Sequence, residues 1–243
     1  MKPTHFTRGK AAFTLIELLT VIAIIGVLAG IIVAITGRAS TSAQDVACTS
    51  NLRQIGLAVQ LYGGEHKIYP PALGGGTYEP SGYLWYRTLR PYMEGQKPEE
   101  ESKVYNSPVI VCPGRTITSV PSDGTLSSYA AHPLLFFDET NPNRVPRRMG
   151  SLERPAEIIM MADATQRASG EAYGNFFSVS ECYAPTTNPA YGHMPVGVGP
   201  DKDGDYSWFR YRHNGHMNVA FADGHVGFFQ KGEVLRRNVQ VNY

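Results

Sequence analysis

Residues 13–35, FTLIELLTVIAIIGVLAGIIVAI, hold a single charged side chain, Glu17. As an α-helix this run is about 34 Å long, enough to cross the ~30 Å hydrocarbon core of a bilayer. Ile, Val and Thr are frequent in it, but in lipid every backbone group must pair internally, so a helix is expected rather than a strand. The preceding segment, MKPTHFTRGKAA, carries Lys2, Arg8 and Lys10 and no acid. Basic charge beside the first apolar span holds that side in the cytoplasm. The expectation is one crossing of a membrane, amino terminus cytoplasmic, with everything after residue 35 outside the cytoplasm.

Glu17 sets this span apart from a plain anchor. A carboxylate in the membrane is unfavourable by a few kcal/mol unless it lies at the interface, protonates or meets a cation. A secretory signal would put its cleavage site after an apolar core of about 7–15 residues. Here the run is longer, and the small residues Ala11 and Ala12 precede it. A basic leader, a small residue and then Phe13-Thr14-Leu15-Ile16-Glu17-Leu18 resemble the type IV prepilin signature. The resemblance implies that a prepilin peptidase cuts between Ala12 and Phe13 and that the new amine of Phe13 is methylated. It also implies that the cationic amine of one subunit neutralises Glu17 of its neighbour, so that this charge is satisfied only when subunits assemble into a filament. The family usually has Gly before the cut, where this chain has Ala12. A signal anchor whose Glu17 reaches the headgroups, and a secretory signal cut near Ala43, are the alternatives.

Without residues 1–35 about 208 of the 243 remain, enough for one sizeable domain or two small ones. The 25 Gly and 17 Pro indicate many turns. Of 22 basic residues three lie in the leader, leaving 19 against 21 acidic, a net of −2. No basic run occurs, so the sequence offers no electrostatic footprint for nucleic acid. Cys48, Cys112 and Cys182 form no CxxC metal pattern. In an oxidising compartment Cys112 with Cys182 is the expected disulfide, because Cys48 falls on the long helix.

Beyond the membrane the helix is expected to continue over 36–64. Ala39, Ala43, Val46, Ala47, Leu52, Ile55, Val59 and Tyr62 recur mostly every three or four residues, and Gly63-Gly64 reads as the stop. Within this range Cys48-Thr49-Ser50-Asn51-Leu52-Arg53-Gln54-Ile55-Gly56, followed by Tyr62, Tyr69 and Pro70, resembles a block found with this leader in a large bacterial pseudopilin-like family. Residues 84–92 read as a short helix burying Trp85 and Leu89. Residues 109–113 and 157–163 read as strands, and 166–206 as mostly loop.

At the carboxy-terminal end, Asp223-Gly224 reads as a two-residue hairpin turn within about 216–229. That turn opposes Phe221 to Val226 and Val219 to Phe228, and puts all four on one face. His213, nine residues and then Asp223-Gly224 resemble the H-X9-DG motif that accompanies this leader in the same family.

Two metal sets are conceivable. Asp201, Asp203 and Asp205 place three carboxylates at alternate positions, as a calcium ion prefers. Tyr206 and Arg212 stand where an EF-hand needs Gly and Glu, but type II secretion major pseudopilins hold calcium in a carboxy-terminal loop. His213, His216, Asp223 and His225 are the alternative set, a zinc site of a membrane-tethered enzyme or binding domain. No nucleophile elbow or phosphate loop is present; Gly74-Gly75-Gly76 lacks the Gly-Lys-Ser/Thr that would follow.

The sequence thus reads as a leader over 1–12, a transmembrane helix over 13–35, its continuation over 36–64 and a head over 65–243. The fold expected is α+β and pilin-like, the long helix packed on a small antiparallel sheet. The role expected is a non-catalytic subunit of a type II secretion pseudopilus or related surface filament. Its partners would be the prepilin peptidase, other pilin or pseudopilin subunits and the inner membrane.

Overall fold

The computed structural model describes residues 14–73, 84–95, 107–116, 127–138, 141, 145–165, 176–177, 179–183, 189–202 and 208–242, without the side chains of 32–39, 189 and 190. The chain divides into two units, Met1–Ser42 and Ala43–Tyr243. Helix α1 (Leu15–His66) runs through both ranges. In the first unit its described side chains are exposed on every side, among them Leu15, Ile16, Leu19, Ile22, Ile25 and Leu28. A helix that is apolar all round has no polar face to offer water.

In the second unit α1 becomes one-sided. Cys48, Leu52, Ile55, Val59 and Tyr62 are buried at steps of four, three, four and three, with Ala58 beside them. Each fully buried Leu or Ile contributes about 1.5–3 kcal/mol. Four of these lie on the expected stripe, whereas Val46, expected on it, is exposed. The helix does not stop at Gly63-Gly64. It ends at His66, and Lys67 turns the chain with a positive φ of 64° while its N–H bonds back to the Gly63 carbonyl. Gly63 answers to packing instead: a Cβ there would lie 2.4 Å from Met149 Cγ.

Strands β2 (Tyr129–Ala131), β4 (Ile159–Asp163), β5 (His216–Phe221) and β6 (Val226–Gln230) form an antiparallel sheet in the order β2-β4-β5-β6. Strands β1 (Pro71–Leu73) and β3 (Phe137–Asp138) make a small parallel pair. Helix α2 (Trp85–Glu94) buries Trp85, Tyr86 and Leu89 and closes on Gly95 in the left-handed conformation. A four-residue helix, α3 (Pro189–Gly192), lies later in the chain. The fold is therefore α+β, a long amino-terminal helix followed by a small antiparallel sheet.

Both faces of β2, β4 and β5 are covered, while β6 is the partly exposed edge. Tyr129, Ala131, Met161 and Ala220 join the cluster of α1 and α2. Ala130, Ala162, Met217 and Val219 join a second cluster with Phe177, Val179 and Phe209. Hence β4 reads as an unbroken apolar run up to Asp163, as a strand covered on both sides tends to.

Two expectations need correction. Residues 109–113 do not form a strand. Pro108–Ile110 is a 3-10 turn, started by a proline whose missing N–H is harmless there and capped by Ser107 Oγ accepting from the Val109 N–H.

The hairpin register is also one residue off the expected one. Ala220 opposes Val226, Val219 opposes Gly227, Asn218 opposes Phe228 and Met217 opposes Phe229. The loop has three residues, Ala222, Asp223 and Gly224, closed by the Phe221 N–H to the His225 carbonyl, with Gly224 at φ 95°. Three-residue hairpins place a left-handed glycine at that position. A slip of one residue moves a strand's side chains to the other face. The expected patch is accordingly split: Val219 and Phe221 face the second cluster, while Val226 packs on the α1 side.

Candidate functional site

The amino-terminal site begins with the helix start. Thr14 precedes α1, and Glu17 is its third helical residue. The Glu17 carboxylate accepts from the Thr14 N–H at 2.9 Å and from its hydroxyl at 2.7 Å, while Thr14 Oγ1 accepts weakly from the Glu17 N–H at 3.4 Å. This is the reciprocal capping box that Thr-x-x-Glu specifies. The signal stands in the sequence as Thr14-Leu-Ile-Glu17. Ala12 and Phe13, the expected cleavage and methylation positions, lie outside the described residues.

The second constellation lies in the Ala43–Tyr243 unit. Cys48 and Asn51, three apart on α1, face the 3-10 turn and the segment after it. Cys48 forms a disulfide with Cys112, and Asn51 Nδ2 donates to the carbonyls of Pro108 and Val111, each at 3.1 Å. The expected Cys112–Cys182 pair is therefore wrong. Cys182 is a free thiol, buried, and burial pushes its pKa up. Lying on the long helix did not disqualify Cys48, because its side chain points inward on the buried stripe.

His213, also fully buried, stands against this disulfide. Its Nε2 is 3.4 Å from Cys112 Sγ and 3.2 Å from Asp163 Oδ2, and its Nδ1 is 3.5 Å from Asp45 Oδ1. Asp163 Oδ2 also accepts from the Asn218 N–H at 2.9 Å. Asp163 Oδ1 faces Arg212 Nε at 3.8 Å and has no hydrogen-bond partner among the described residues. Arg212 in turn donates to the Ala164 carbonyl. Asp45 on α1 accepts from Asn218 Nδ2 at 2.7 Å and lies 3.2 Å from His216 Nε2. Among the described residues Cys48, Cys112, Asp163 and His213 are the group whose donor atoms gather within 4.8 Å.

Asp223 and Gly224 lie at the other end of β5. The Asp223 carboxylate accepts from the His225 N–H at 3.1 Å and meets His225 Nδ1 at 2.6 Å, and the His225 ring stacks on Phe221 at 4.1 Å. Gln60 Nε2 on α1 donates to the Ala222 carbonyl at 2.9 Å, and a Cβ on Gly56 would lie 3.4 Å from the Gly224 carbonyl oxygen. β5 therefore lies against α1 at two points. From His216 to Ala222 is six strand residues, about 20 Å. From Asp45 to Gln60 is fifteen helical residues, about 22 Å. The spans match, which accounts for a histidine near one end of this strand and a tight glycine turn at the other.

Residues 7–33 match the family described as the prokaryotic N-terminal methylation motif. The chain is prepilin-like. Residues 41–134 of this prepilin-like chain match a second family, described as a protein of unknown function (DUF1559); they include Cys48, Asn51 and Cys112. Neither match reaches His213, Asp223 or Gly224. No curated protein and no solved structure matches the chain. The methylation motif implies processing by a prepilin peptidase and assembly with other pilin subunits. Among the described residues no helix is long and apolar enough to cross a membrane, and the described side chains of the apolar run end at Ile31.

The two expected metal sets fare differently. His213, His216, Asp223 and His225 do not converge, being divided between the two ends of β5. Of the calcium set, Asp203 and Asp205 lie outside the described residues. Asp201 Oδ1 accepts from Arg210 Nη1 at 2.8 Å and the Tyr211 N–H at 3.0 Å, and Oδ2 lies 3.3 Å from Lys231 Nζ. Partial burial opposes its charge, but the Tyr211 N–H, Arg210 and Lys231 outweigh burial and hold the carboxyl below its usual range. Both its oxygens thus already meet cationic partners within the chain.

Proposed function

We propose that this prepilin-like chain is a membrane-anchored subunit of a type II secretion pseudopilus or a related surface filament. A prepilin peptidase cuts it between Ala12 and Phe13, the new Phe13 amine is methylated, and the apolar part of α1 first holds the subunit in the inner membrane and then packs against other subunits. The leader stays in the cytoplasm, and the Ala43–Tyr243 unit works on the far side of the membrane. The chain carries out no catalysis of its own and is a substrate of the peptidase.

The observation that carries this reading is the amino-terminal half of α1. It is apolar on every described side and exposed, with one acid three residues into the helix. Such a surface must be covered by lipid or by other helices. Within one chain Glu17 meets only uncharged Thr14 donors among the described contacts, so its charge is open to a cation supplied by a neighbour. The match over residues 7–33 supports the same reading.

Glu17→Ala tests it. The precursor should insert and be cleaved to a chain starting at N-methylated Phe13, as intact mass and amino-terminal sequencing read directly, while filaments recovered by shearing fall to background. Glu17→Ala filaments at the wild-type level would remove the assembly role. A native chain starting at Met1 would reduce the protein to a signal-anchored one, and a start near Gln44 would make it a secreted protein.

A further inference from the structure

The cluster around His213 is over-equipped for a disulfide alone. A disulfide is neutral and needs no ionic company, yet Asp163, His213 and Arg212 are all buried beside this one. Asp163 keeps one carboxylate oxygen without a hydrogen bond, and Arg212 keeps Nε and Nη1 without one. Such orphaned polar atoms are unfavourable in a low-dielectric interior, and a disulfide does nothing to satisfy them.

We infer that, with Cys48 and Cys112 reduced, the Cys48, Cys112, His213 and Asp163 side chains bind one thiophilic divalent cation of the zinc type, so that metal binding and disulfide closure are alternative states of one site.

The donor set is two thiolates, an imidazole and a carboxylate, the number and kind that tetrahedral zinc takes. Zinc bonds of about 2.0–2.3 Å put ligand atoms roughly 3.3–3.8 Å apart. His213 Nε2 already stands 3.2 Å from an Asp163 oxygen and 3.4 Å from Cys112 Sγ, and all four donors lie within 4.8 Å of one another. Breaking the S–S bond lets the two sulfurs part to a similar distance. Ligating histidines commonly turn their second nitrogen to a carboxylate that fixes the ring. Here Asp45 faces His213 Nδ1 at 3.5 Å and is itself held by Asn218 Nδ2.

Charge closes in both states. With the disulfide formed, Asp163 balances Arg212. With the metal bound, two thiolates and Asp163 balance a dication and Arg212. Among the buried groups the charges therefore cancel in both states, and Asp45, with its side chain 31% exposed, adds one negative charge to each.

The interchange is balanced through thiol–disulfide exchange. A dithiol reductant delivers two electrons and two protons to the Cys48–Cys112 bond and is itself oxidised to a disulfide. The cation then displaces the two thiol protons to solvent. In reverse, a disulfide oxidant accepts two electrons from the two thiolates, the S–S bond re-forms and the cation leaves as a dication. Thiolates held on zinc are poorer nucleophiles than free ones, so the metal should delay closure.

The test uses the full chain in detergent micelles, reduced with a phosphine, freed of reductant under nitrogen and incubated with zinc chloride. After gel filtration, metal analysis should give one zinc per reduced chain and none per oxidised chain. Cobalt(II) in place of zinc should give tetrahedral d–d bands and a thiolate-to-cobalt charge-transfer band. Zinc should slow disulfide closure by oxidised glutathione at least tenfold. His213→Ala and Asp163→Asn should lose the retained zinc, whereas His225→Gln, at the distant exposed turn, should keep it. Since the buried variants are liable to misfold, the wild-type chain decides: no zinc retained on reduction, equal zinc in both redox forms, an octahedral cobalt spectrum, or closure indifferent to zinc each overturns the proposal. If reduction alone loosens the fold, zinc should restore the buried-tryptophan fluorescence, and failure to do so overturns it as well.

Discussion

His132 offers the sharpest test of how the interior of the Ala43–Tyr243 unit is built. It is fully buried between β2 and β3 in sequence, and both ring nitrogens are used. Nδ1 accepts from the Leu134 N–H at 3.1 Å, so Nε2 carries the proton and donates to the Val239 carbonyl at 2.8 Å. Burial, helped by the positive charge of Arg147 and opposed by the Val239 carbonyl, holds its pKa near 4, below the ordinary 6.5. The unfolded chain therefore binds a proton at this residue before the folded chain does. Stability is lost as pH falls from about 6.5 to about 4. A gap of about 2.5 pH units at about 1.36 kcal/mol each makes that loss roughly 3 kcal/mol. Asp201 and Glu181, both held below the usual carboxylate range, add a further loss at lower pH.

The perturbation that isolates the histidine is His132→Gln, which keeps a donor and an acceptor but does not titrate. Urea unfolding of the full chain in detergent, followed by tryptophan fluorescence at half-unit steps from pH 7.5 to 4, measures both slopes. The wild type should fall more steeply than the variant between pH 6.5 and 4 by roughly 3 kcal/mol in total. Parallel curves would refute the assignment of this proton to His132, whatever the two absolute stabilities.

Four further outcomes follow from the contacts of α1 with the hairpin turn and with Cys112. Gly56→Ala adds a Cβ in ordinary contact with the Gly224 carbonyl at 3.4 Å and Ala220 Cβ at 3.9 Å; it should raise the unfolding midpoint through a gain of up to about 1 kcal/mol in helix propensity. Gly56→Leu should lower it by about 1–3 kcal/mol, by pushing the turn off the helix. Gly224→Val, at φ 95°, should lose roughly 1–3 kcal/mol in the same assay. In zinc-free buffer, opening the Cys48–Cys112 bond, which spans 64 residues, should lower stability by about 4 kcal/mol in the chain-entropy account; an unfolding midpoint unmoved by reductant would refute it.

How far the fold could be read follows from which signals are local. The spacing of Leu52, Ile55, Val59 and Tyr62 is a one-dimensional pattern, and the structure buries those residues together. Trp85 and Leu89 on α2 and the apolar run of β4 were legible for the same reason. Gly63-Gly64 misled because a glycine's meaning is not local: it reads as a stop until Met149, 86 residues away in sequence, is seen to need the space. The hairpin misled in a related way. Asp-Gly signals a turn, but whether two or three residues form the loop depends on which register lets Ala220 and Val226 face α1 while Val219 and Phe221 face the other cluster. Once both faces are buried, alternation in the sequence no longer distinguishes them.

The same distinction governs the sites. Thr14-x-x-Glu17 is a local device, legible in the sequence as a capping box. Leader, apolar run and Glu17 form one contiguous stretch, and that is the stretch matched over residues 7–33. The buried cluster has no such stretch. Cys48 comes from α1, Cys112 from the segment after a 3-10 turn, Asp163 from the end of β4 and His213 from the approach to β5. Cys48 and His213 each open a motif of their own, but neither motif points to the other, and Asp163 reads as the polar end of a strand. Only the sheet order, with β4 beside β5 and α1 across them, brings these donors together. The histidine spacing His213-x-x-His216 suggested that the two rings serve one ligand set. In the fold Nε2 of His213 turns to Asp163 and Cys112, while His216 Nε2 turns to Asp45, the residue that also faces Nδ1 of His213. Three residues of separation at the mouth of a strand thus divide a potential ligand from a residue that steadies its partner, a division that spacing alone has no means to express.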